Sequence, residues 1–314
     1  MIEKKVYIVV LNYNGWEDTI ECLESIFKSN YNNYSIVVVD NDSPNNSMDY
    51  LIKWAEGEQN VTYKTKSILN DYTKPNFKKP LSYSYYLENN INSDSENNLI
   101  FIQANKNNGF SAGNNIGIRY ALTQENCEYI WLLNNDIIIQ YDTIQKLVDS
   151  YKNQKKSRNI GIIGTIQNYY HNPEKIQASA GKFNKWSGKF WNCMTLDFTQ
   201  DEIAYPYGAS MFFHKSTFQK IGLMDENYFI YCEEIDITER LKQEKMHVYI
   251  DKNIVIYHKH GQSMKTIEND LQFYYSSRSK IYFYKKFYKR YLPFAYLRVF
   301  YSKFRRFIAK LIRK

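Results

Sequence analysis

Glu233-Glu234-Ile235-Asp236 crowds three carboxylates into four residues, just ahead of a helical pattern that contains Arg240. Acids are favoured at a helix N-terminus, which is one sufficient reason for them. The other is chemistry. Like charges so close raise one another's pKa, and a carboxyl poised near neutrality can work as a general base. Asp136 follows an apolar run and Asn134-Asn135; it can cap the next helix or ligate a hard divalent cation such as Mg²⁺ or Mn²⁺. His258 closes a late apolar run and is followed by Lys259-His260-Gly261. It reads either as a structural histidine or as a second ligand of that cation.

Such groups need a frame. Residues 5–12 (KVYIVVLN) form a continuous β-branched run, as in a strand buried on both faces. Residues 16–28 show helical spacing, with Ile20, Leu23, Ile26 and Phe27 on one side. Residues 35–39 form a second strand, closed by the turn Asp40-Asn41-Asp42-Ser43-Pro44, and 48–55 a second helix. This alternation predicts an α/β fold with a mostly parallel sheet and right-handed crossovers. Residues 56–98 are rich in Asn, Ser, Tyr and Lys, hold Pro75 and Pro80, and read as a polar insertion, ordered at most in part. Strands at 99–103, 129–133, 160–166 and 248–256, with helices at 110–122, 143–151, 216–221 and 236–243, complete the body. The Gly-, Trp- and Phe-rich stretch 167–205 reads as antiparallel strands and loops.

In an open parallel sheet, ligands bind beyond the carboxyl ends of the strands. Four such ends carry polar clusters: Asn12-Tyr13-Asn14, Asp40-Asn41-Asp42, residues 105–109 and Asn134-Asn135-Asp136. Each alone is an ordinary turn; four on one edge point to a nucleotide. A dinucleotide fold requires GxGxxG after its first strand, and here that position holds Gly15 alone. Gly109, Gly113 and Gly117 follow the third strand at intervals of four, which suits close helix–sheet packing. No Walker sequence occurs. A nicotinamide-dependent oxidoreductase is therefore disfavoured.

Read together, these segments resemble the family-2 glycosyltransferases, in particular their bacterial rhamnosyltransferase-like branch. The matching pieces are Val9-Val10-Leu11-Asn12-Tyr13-Asn14, Val38-Val39-Asp40-Asn41-Asp42-Ser43, Asn107-Asn108-Gly109-Phe110-Ser111-Ala112-Gly113-Asn114-Asn115 and Trp131-Leu132-Leu133-Asn134-Asn135-Asp136. Further on come Pro206-Tyr207-Gly208-Ala209, Tyr231-Cys232-Glu233-Glu234-Ile235-Asp236 and Tyr257-His258-Lys259-His260-Gly261-Gln262-Ser263. All stand in the family's order.

The resemblance implies a GT-A fold of the nucleotide-diphospho-sugar transferase type. It also implies transfer of a sugar with inversion, from dTDP-rhamnose or a UDP-hexose to a hydroxyl of a bacterial surface glycan: O-antigen, capsule or cell-wall polysaccharide. By it, Asn12, Tyr13, Asn14, Asp40 and Asn41 hold the base and ribose, with Asn108, Gly109, Gly113 and Asn114 lining the same pocket. Asn134-Asn135-Asp136 stands where relatives have a DxD element. Asn134 and Asn135 would flank the donor, while Asp136 and His258 would hold Mg²⁺ or Mn²⁺ on its diphosphate. Glu234 is the implied base, where many relatives have Asp; Glu233 is the alternative, and Asp236 belongs to the same acidic motif. Asn at two positions of the metal element leaves one carboxylate, which favours weak metal dependence and keeps open a catalytically silent nucleotide-sugar-binding subunit.

The composition excludes other classes. With 44% hydrophobic and 24% charged residues the chain is globular, and no apolar run approaches the roughly 18–20 residues of a spanning helix. The N-terminus lacks a signal peptide's apolar core. Four cysteines without a CxxC pair fit reduced thiols in the cytosol. The net charge of +8 is uneven: residues 271–314 hold 13 Lys and Arg and no acid, leaving 28 basic against all 33 acidic groups before them. Residues 1–265 thus read as a catalytic domain and 266–314 as a basic, aromatic helical tail. In that tail Leu297, Phe300, Tyr301, Phe304, Phe307, Ile308, Leu311 and Ile312 share one helical face. Such a face suits an anionic membrane surface, with peripheral attachment and a lipid-linked glycan acceptor. Its other readings are packing on the enzyme's own core or on a second subunit, as a homodimer. The acidic body and the lack of a binding motif argue against nucleic acid.

Overall fold

The structure, a computed structural model, describes residues 3–59, 68–75, 77–92, 96–259 and 269–312. β1 (Lys5–Asn12) connects through α1 (Trp16–Phe27) to β2 (Tyr34–Asp40), followed by α2 (Ser47–Glu56), α3 (Asn70–Thr73), β3 (Ser84–Leu87) and β4 (Leu99–Gln103). Next come α4 (Phe110–Thr123), β5 (Cys127–Asn134), β6 (Ile137–Ile138), α5 (Thr143–Lys155) and β7 (Ile160–Tyr169). The antiparallel region holds β8 (Asn172–Ala178), β9 (Ala180–Asn184), β10 (Lys189–Cys193) and β11 (Ser210–His214). The chain ends with α6 (Lys215–Ile221), α7 (Glu233–Gln243), β12 (His247–His258), α8 (Asn269–Phe287) and α9 (Leu292–Ile312).

The main sheet runs β3-β4-β2-β1-β5-β11-β7-β12-β6, with β8 on β7. Its first five strands are mutually parallel, β11 is antiparallel to both neighbours, and β12 is parallel to β7. Both faces are covered, and the period of two explains how. Val6, Ile8 and Val10 of β1 point to one side, where Ile20, Leu23 and Ile26 of α1, Leu51 of α2 and Leu147 of α5 meet them. Tyr7 and Val9 point to the other, against Ile116 of α4 and Ile237 and Leu241 of α7. This is the α/β fold expected from the continuous apolar runs.

Three features differ from expectation. The polar insertion contributes β3, an edge strand paired in parallel with β4 (Tyr85 opposite Phe101). Its four residues alternate between half-buried and exposed, too short a stretch for periodicity to register. β11 sits between β5 and β7, where Trp131 Nε1 donates to Ser210 Oγ at 3.0 Å; its MFF run, buried on both faces, carries no alternation. Third, α7 begins at Glu233, not Asp236, so the acidic cluster lies inside its first turn.

Phe283 and Tyr284 of α8 are fully buried and share a core with Tyr205, Tyr228, Ile235 and Ala295. Among the described residues no helix is long and apolar enough to cross a membrane. The four cysteines are free.

Candidate active site

β1 and β2 end side by side, and there the first two polar clusters become one hydrogen-bonded hub. Asn12 is fully buried; its Nδ2 donates to Asp40 Oδ1 at 2.8 Å, and its Oδ1 accepts from Thr19 Oγ1 at 2.8 Å and Gly15 N at 3.2 Å. Asn135, arriving from the end of β5, donates to Thr19 Oγ1 at 2.9 Å, Gly15 O at 3.2 Å and Asn12 Oδ1 at 3.3 Å. The side chains of Asn12 and Asn135 are therefore engaged with the protein itself. They fix the strand ends and the Asp40 carboxylate and are positioning residues in this structure.

The groups left open lie beside them. Asn41 Nδ2 bridges to Asn107 Oδ1 at 2.9 Å and to Gly109 O at 3.2 Å. Its Oδ1, and that of Asn14, are buried with no hydrogen-bond partner among the described residues. Two orphaned acceptors at adjacent strand ends are what a donor-bearing ligand would satisfy. Tyr13 is half-buried and Asn108 is exposed on the same rim. Asn114 is tied to its own helix through Phe110 O at 2.9 Å. A Cβ on Gly113 would come within 2.5 Å of Leu11 Cδ1 and 3.2 Å of Asn41 Cγ, so those side chains would have to give way: α4 lies that close on the sheet.

Asp136 and His258 are 122 positions apart in sequence, and β6 joins them. It starts one residue after Asp136 and pairs antiparallel with the end of β12, placing Ile137 opposite His258. His258 Nε2 then lies 3.1 Å from Asp136 Oδ1, and His258 Nδ1 faces Gln177 Oε1 at 3.1 Å. With Gln177 at Nδ1 and the Asp136 carboxylate at Nε2 the ring is held in one orientation, as the outer partner of a metal-ligating histidine would hold it. Burial alone would raise the Asp136 pKa. The His258 ring and the Lys259 charge outweigh it and hold the carboxyl below its ordinary value, so it stays anionic. Two such ligands fit Mg²⁺ or Mn²⁺, which complete their shells with water and phosphate oxygens; among the described residues no third His, Cys, Asp or Glu joins them.

Lys259 holds this corner in place. Its ammonium, almost wholly buried, reaches Asp18 Oδ1 at 2.7 Å and Glu21 Oε2 at 2.8 Å in α1, and its backbone N–H donates to Asp136 O at 3.0 Å. Removing one member of a buried ionic cluster costs about 3–5 kcal/mol because the partners stay behind uncompensated. Lys259→Met should therefore lower the unfolding free energy measured in urea by an amount in that range. The loss should ease as pH falls, because protonation discharges the stranded carboxylates.

The acidic cluster is delivered by a strained turn. Tyr231 and Cys232 have φ of 73° and 71°, left-handed values that cost of order 1–3 kcal/mol each for such residues and concentrate at functional sites. Three contacts hold the turn. Phe110 N donates to Phe229 O at 2.6 Å, and a Cβ on Gly109, whose φ is +94°, would fall 2.3 Å from that same oxygen. The Phe229 ring stacks on Tyr275 of α8 at 4.5 Å, and Ser279 Oγ donates to Ile230 O at 2.8 Å. The loop that leads into α4 and the loop that carries the acids are thus locked together, with α8 behind them.

The three carboxylates part company here. Asp236 is fully buried and faces Arg240 Nε at 2.7 Å and Lys286 Nζ at 2.6 Å, so it clasps α7 to α8. Glu233 is buried, with Oε2 unpartnered among the described residues; burial first, then the neighbouring Glu234 charge, raises its pKa well above normal. Glu234 is less enclosed and lies against Gly208, within about 4 Å of where a Cβ there would stand. Burial raises it to about 7. Tyr207, one residue before, lies close to both His258 and Glu234. Its ring is 6.1 Å from that of His258, and burial, then Glu234, then Asp136, push its hydroxyl up to about 12.

The structure therefore unites Asn12, Asp40 and Asn135 in one hub, Asn14, Asn41, Gly109 and Gly113 on one rim, Asp136 with His258, and Glu233 with Glu234. It sets Asp236 apart and leaves Asn134 half-buried at the end of β5. Lys259, Gln177, Lys286 and Tyr207 went unassigned in the sequence. Lys259 and Tyr207 sit inside recognised motifs, and that position was the only signal. His260, Gly261, Gln262 and Ser263 lie outside the described residues.

Comparison with known proteins gives a family and a fold. A family model, Glycosyl transferase family 2, covers residues 7–72 and 85–222, well over half the chain. The low-salt glycan biosynthesis hexosyltransferase Agl10 of Haloferax volcanii is 27% identical over 191 residues, 59% of this chain and 60% of that protein. The match thus spans less than two thirds of the relative's length. The mannosyltransferase PcManGT of Pyrobaculum calidifontis, solved with GDP-Man and Mn²⁺, superposes with a TM-score of 0.53 at 12% identity, over 84% of this chain and 59% of that one. GalNAc-T7, solved with UDP, GalNAc and Mn²⁺, gives 0.55 at 16%, over 81% and 44%. At these identities the likeness is one of fold, and the fold is GT-A.

Proposed function

The chain belongs to glycosyl transferase family 2, and from that premise we propose that it is an inverting transferase moving a sugar from a nucleotide donor to a glycan hydroxyl. The observation that carries this reading is the gathering of Glu234, Asp136 and His258 around Tyr207, beyond the carboxyl ends of the parallel strands. The nucleotide would lie over the rim of Asn14 and Asn41, whose orphaned oxygens accept from the base or ribose. Asp136 and His258 would hold Mg²⁺ or Mn²⁺, which supplies Lewis-acid stabilisation of the departing diphosphate. Glu234 takes the proton from the acceptor hydroxyl as its oxygen bonds to the anomeric carbon; the bond to the diphosphate breaks and its electron pair leaves with the phosphate.

Within that reading the donor is dTDP-rhamnose or a UDP-hexose and the acceptor a bacterial surface glycan, free or lipid-linked. The enzyme would then act as a cytoplasmic protein, peripheral on the inner face of the cell membrane. Calorimetry of a nucleotide-sugar panel with and without Mn²⁺, scored for slow donor hydrolysis, tests it. One nucleotide sugar should bind more tightly with Mn²⁺ and be hydrolysed slowly. Binding with no turnover on any acceptor would leave a silent subunit, and no binding would overturn the assignment.

A further inference from the structure

Helix α9 is built inside out for a soluble protein. The side it turns to the body carries Ala295, Val299, Ser302 and Arg306, the last bonded to Asp270 at 2.8 Å and lying over the Phe273 ring of α8. The other side carries Leu297 (63% exposed), Phe300 (70%), Tyr301, Phe304 and Ile308. At about 100° per residue these span an arc of roughly 100°, with the exposed cations Lys303 and Arg305 at its two edges. The side chains of Phe307, Leu311 and Ile312 lie outside the described residues.

A second, separate element extends the patch. The β9–β10 hairpin places Trp186, 55% exposed, at its tip, with its ring 5.8 Å from Phe294 and 4.6 Å from Tyr291. Lys185 beside it lies over the Tyr291 ring, and Lys289 and Arg290 are exposed at the turn into α9. Apolar area this contiguous is uncommon on a monomer's surface unless something covers it.

We propose that this composite face, the outer arc of α9 together with the Trp186 hairpin tip, docks flat on an anionic lipid bilayer. Charge selects the occupant. The face is rimmed by Lys185, Lys289, Arg290, Lys303 and Arg305, and residues 271–314 contain no acid to answer them. A second copy laid face to face across a two-fold would oppose like charges, whereas anionic headgroups neutralise all five. The composition fits as well: Trp and Tyr favour the headgroup level, and basic side chains flanking an apolar arc mark helices that lie in the interface. The same hairpin reaches the site, because β9 pairs at Gly181 with Tyr205, two residues before Tyr207. The inference deepens the transferase reading, resting on it only for the point that a lipid-linked acceptor would arrive at this face.

Pelleting of the full chain with phosphatidylcholine vesicles, with and without phosphatidylglycerol, tests it. Binding should require the anionic lipid and weaken with salt. The exposed pair Phe300→Asp with Phe304→Asp should lower partitioning by at least about 100-fold, and Trp186→Ala by about 10-fold. Calorimetry of donor binding on the same variants should be unchanged, so failure of the docking face and failure of the transferase reading are told apart. Equal pelleting of wild type and the double variant, or equal binding to neutral vesicles, would overturn the proposal. So would a dimer in solution that the double variant dissociates, which would assign the face to a second copy.

Discussion

Glu234→Gln should keep donor binding and lose about 10²- to 10⁴-fold in transfer. The amide preserves the volume against Gly208 and the place in the first turn of α7 but cannot accept the acceptor's proton. Glu233→Gln should cost much less, because that carboxyl is the more buried of the two. The pH dependence gives an independent reading. Burial raises Glu234 to about 7, and the base works deprotonated, so transfer should rise with pH through about 7 and the limb should vanish in the Gln variant. Stability runs the other way. Between the ordinary Glu value and 7 the folded chain holds a proton that the unfolded chain has released, so stability falls as pH rises. Glu234→Gln removes that penalty and should be more stable than wild type at pH 8 in chemical denaturation. Gain of stability with loss of transfer is the signature of a group held charged for function; a variant that keeps wild-type transfer would remove Glu234 from the mechanism.

Much of the frame was legible because burial on two faces leaves an unmistakable run of β-branched residues. KVYIVVLN announced β1, and its alternation assigned each residue to one core or the other. The site was legible as residue types but not as contacts. Asp136 and His258 were each ambiguous, and what joins them is the two-residue β6, which no periodicity can reveal. Asn12 and Asn135 carried the right polarity for ligand contact, yet their hydrogen bonds turn inward to tie β1, α1 and β5. Asp236 read as a third acid of the cluster, but helical geometry turns it about 200° from Glu234, towards Arg240 and Lys286. Lys259 went unassigned because lysines are ordinarily solvated, and its partners lie more than 230 residues away in α1. The tail showed its amphipathic face in sequence, but not that the face points outward while α8 buries Phe283 and Tyr284 against the catalytic body.

The second large effect is expected at Asp136→Asn, which should abolish any gain in donor affinity from Mn²⁺ and lower transfer by more than about 10²-fold, the scale of a Lewis acid contributing several kcal/mol. The amide is isosteric, so the β6–β12 pairing and the Gln177 contact of His258 should persist, and binding of the nucleotide without metal should not change. Among the described residues nothing nearby can substitute. Asn135 already donates to Asn12, Gly15 and Thr19, and Asp18 is engaged by Lys259 at 2.7 Å. Gln177→Leu supplies the graded control. It leaves both ligands in place and frees only the ring orientation, for which about 10- to 100-fold in metal affinity is expected. If Asp136→Asn kept the Mn²⁺ response, the cation would have to be held elsewhere. If Gln177→Leu fell as far as Asp136→Asn, the ring's orientation would matter as much as the charge. The single carboxylate makes the comparison sharp, because with Asn at the two preceding positions all the anionic character of residues 134–136 rests on one residue.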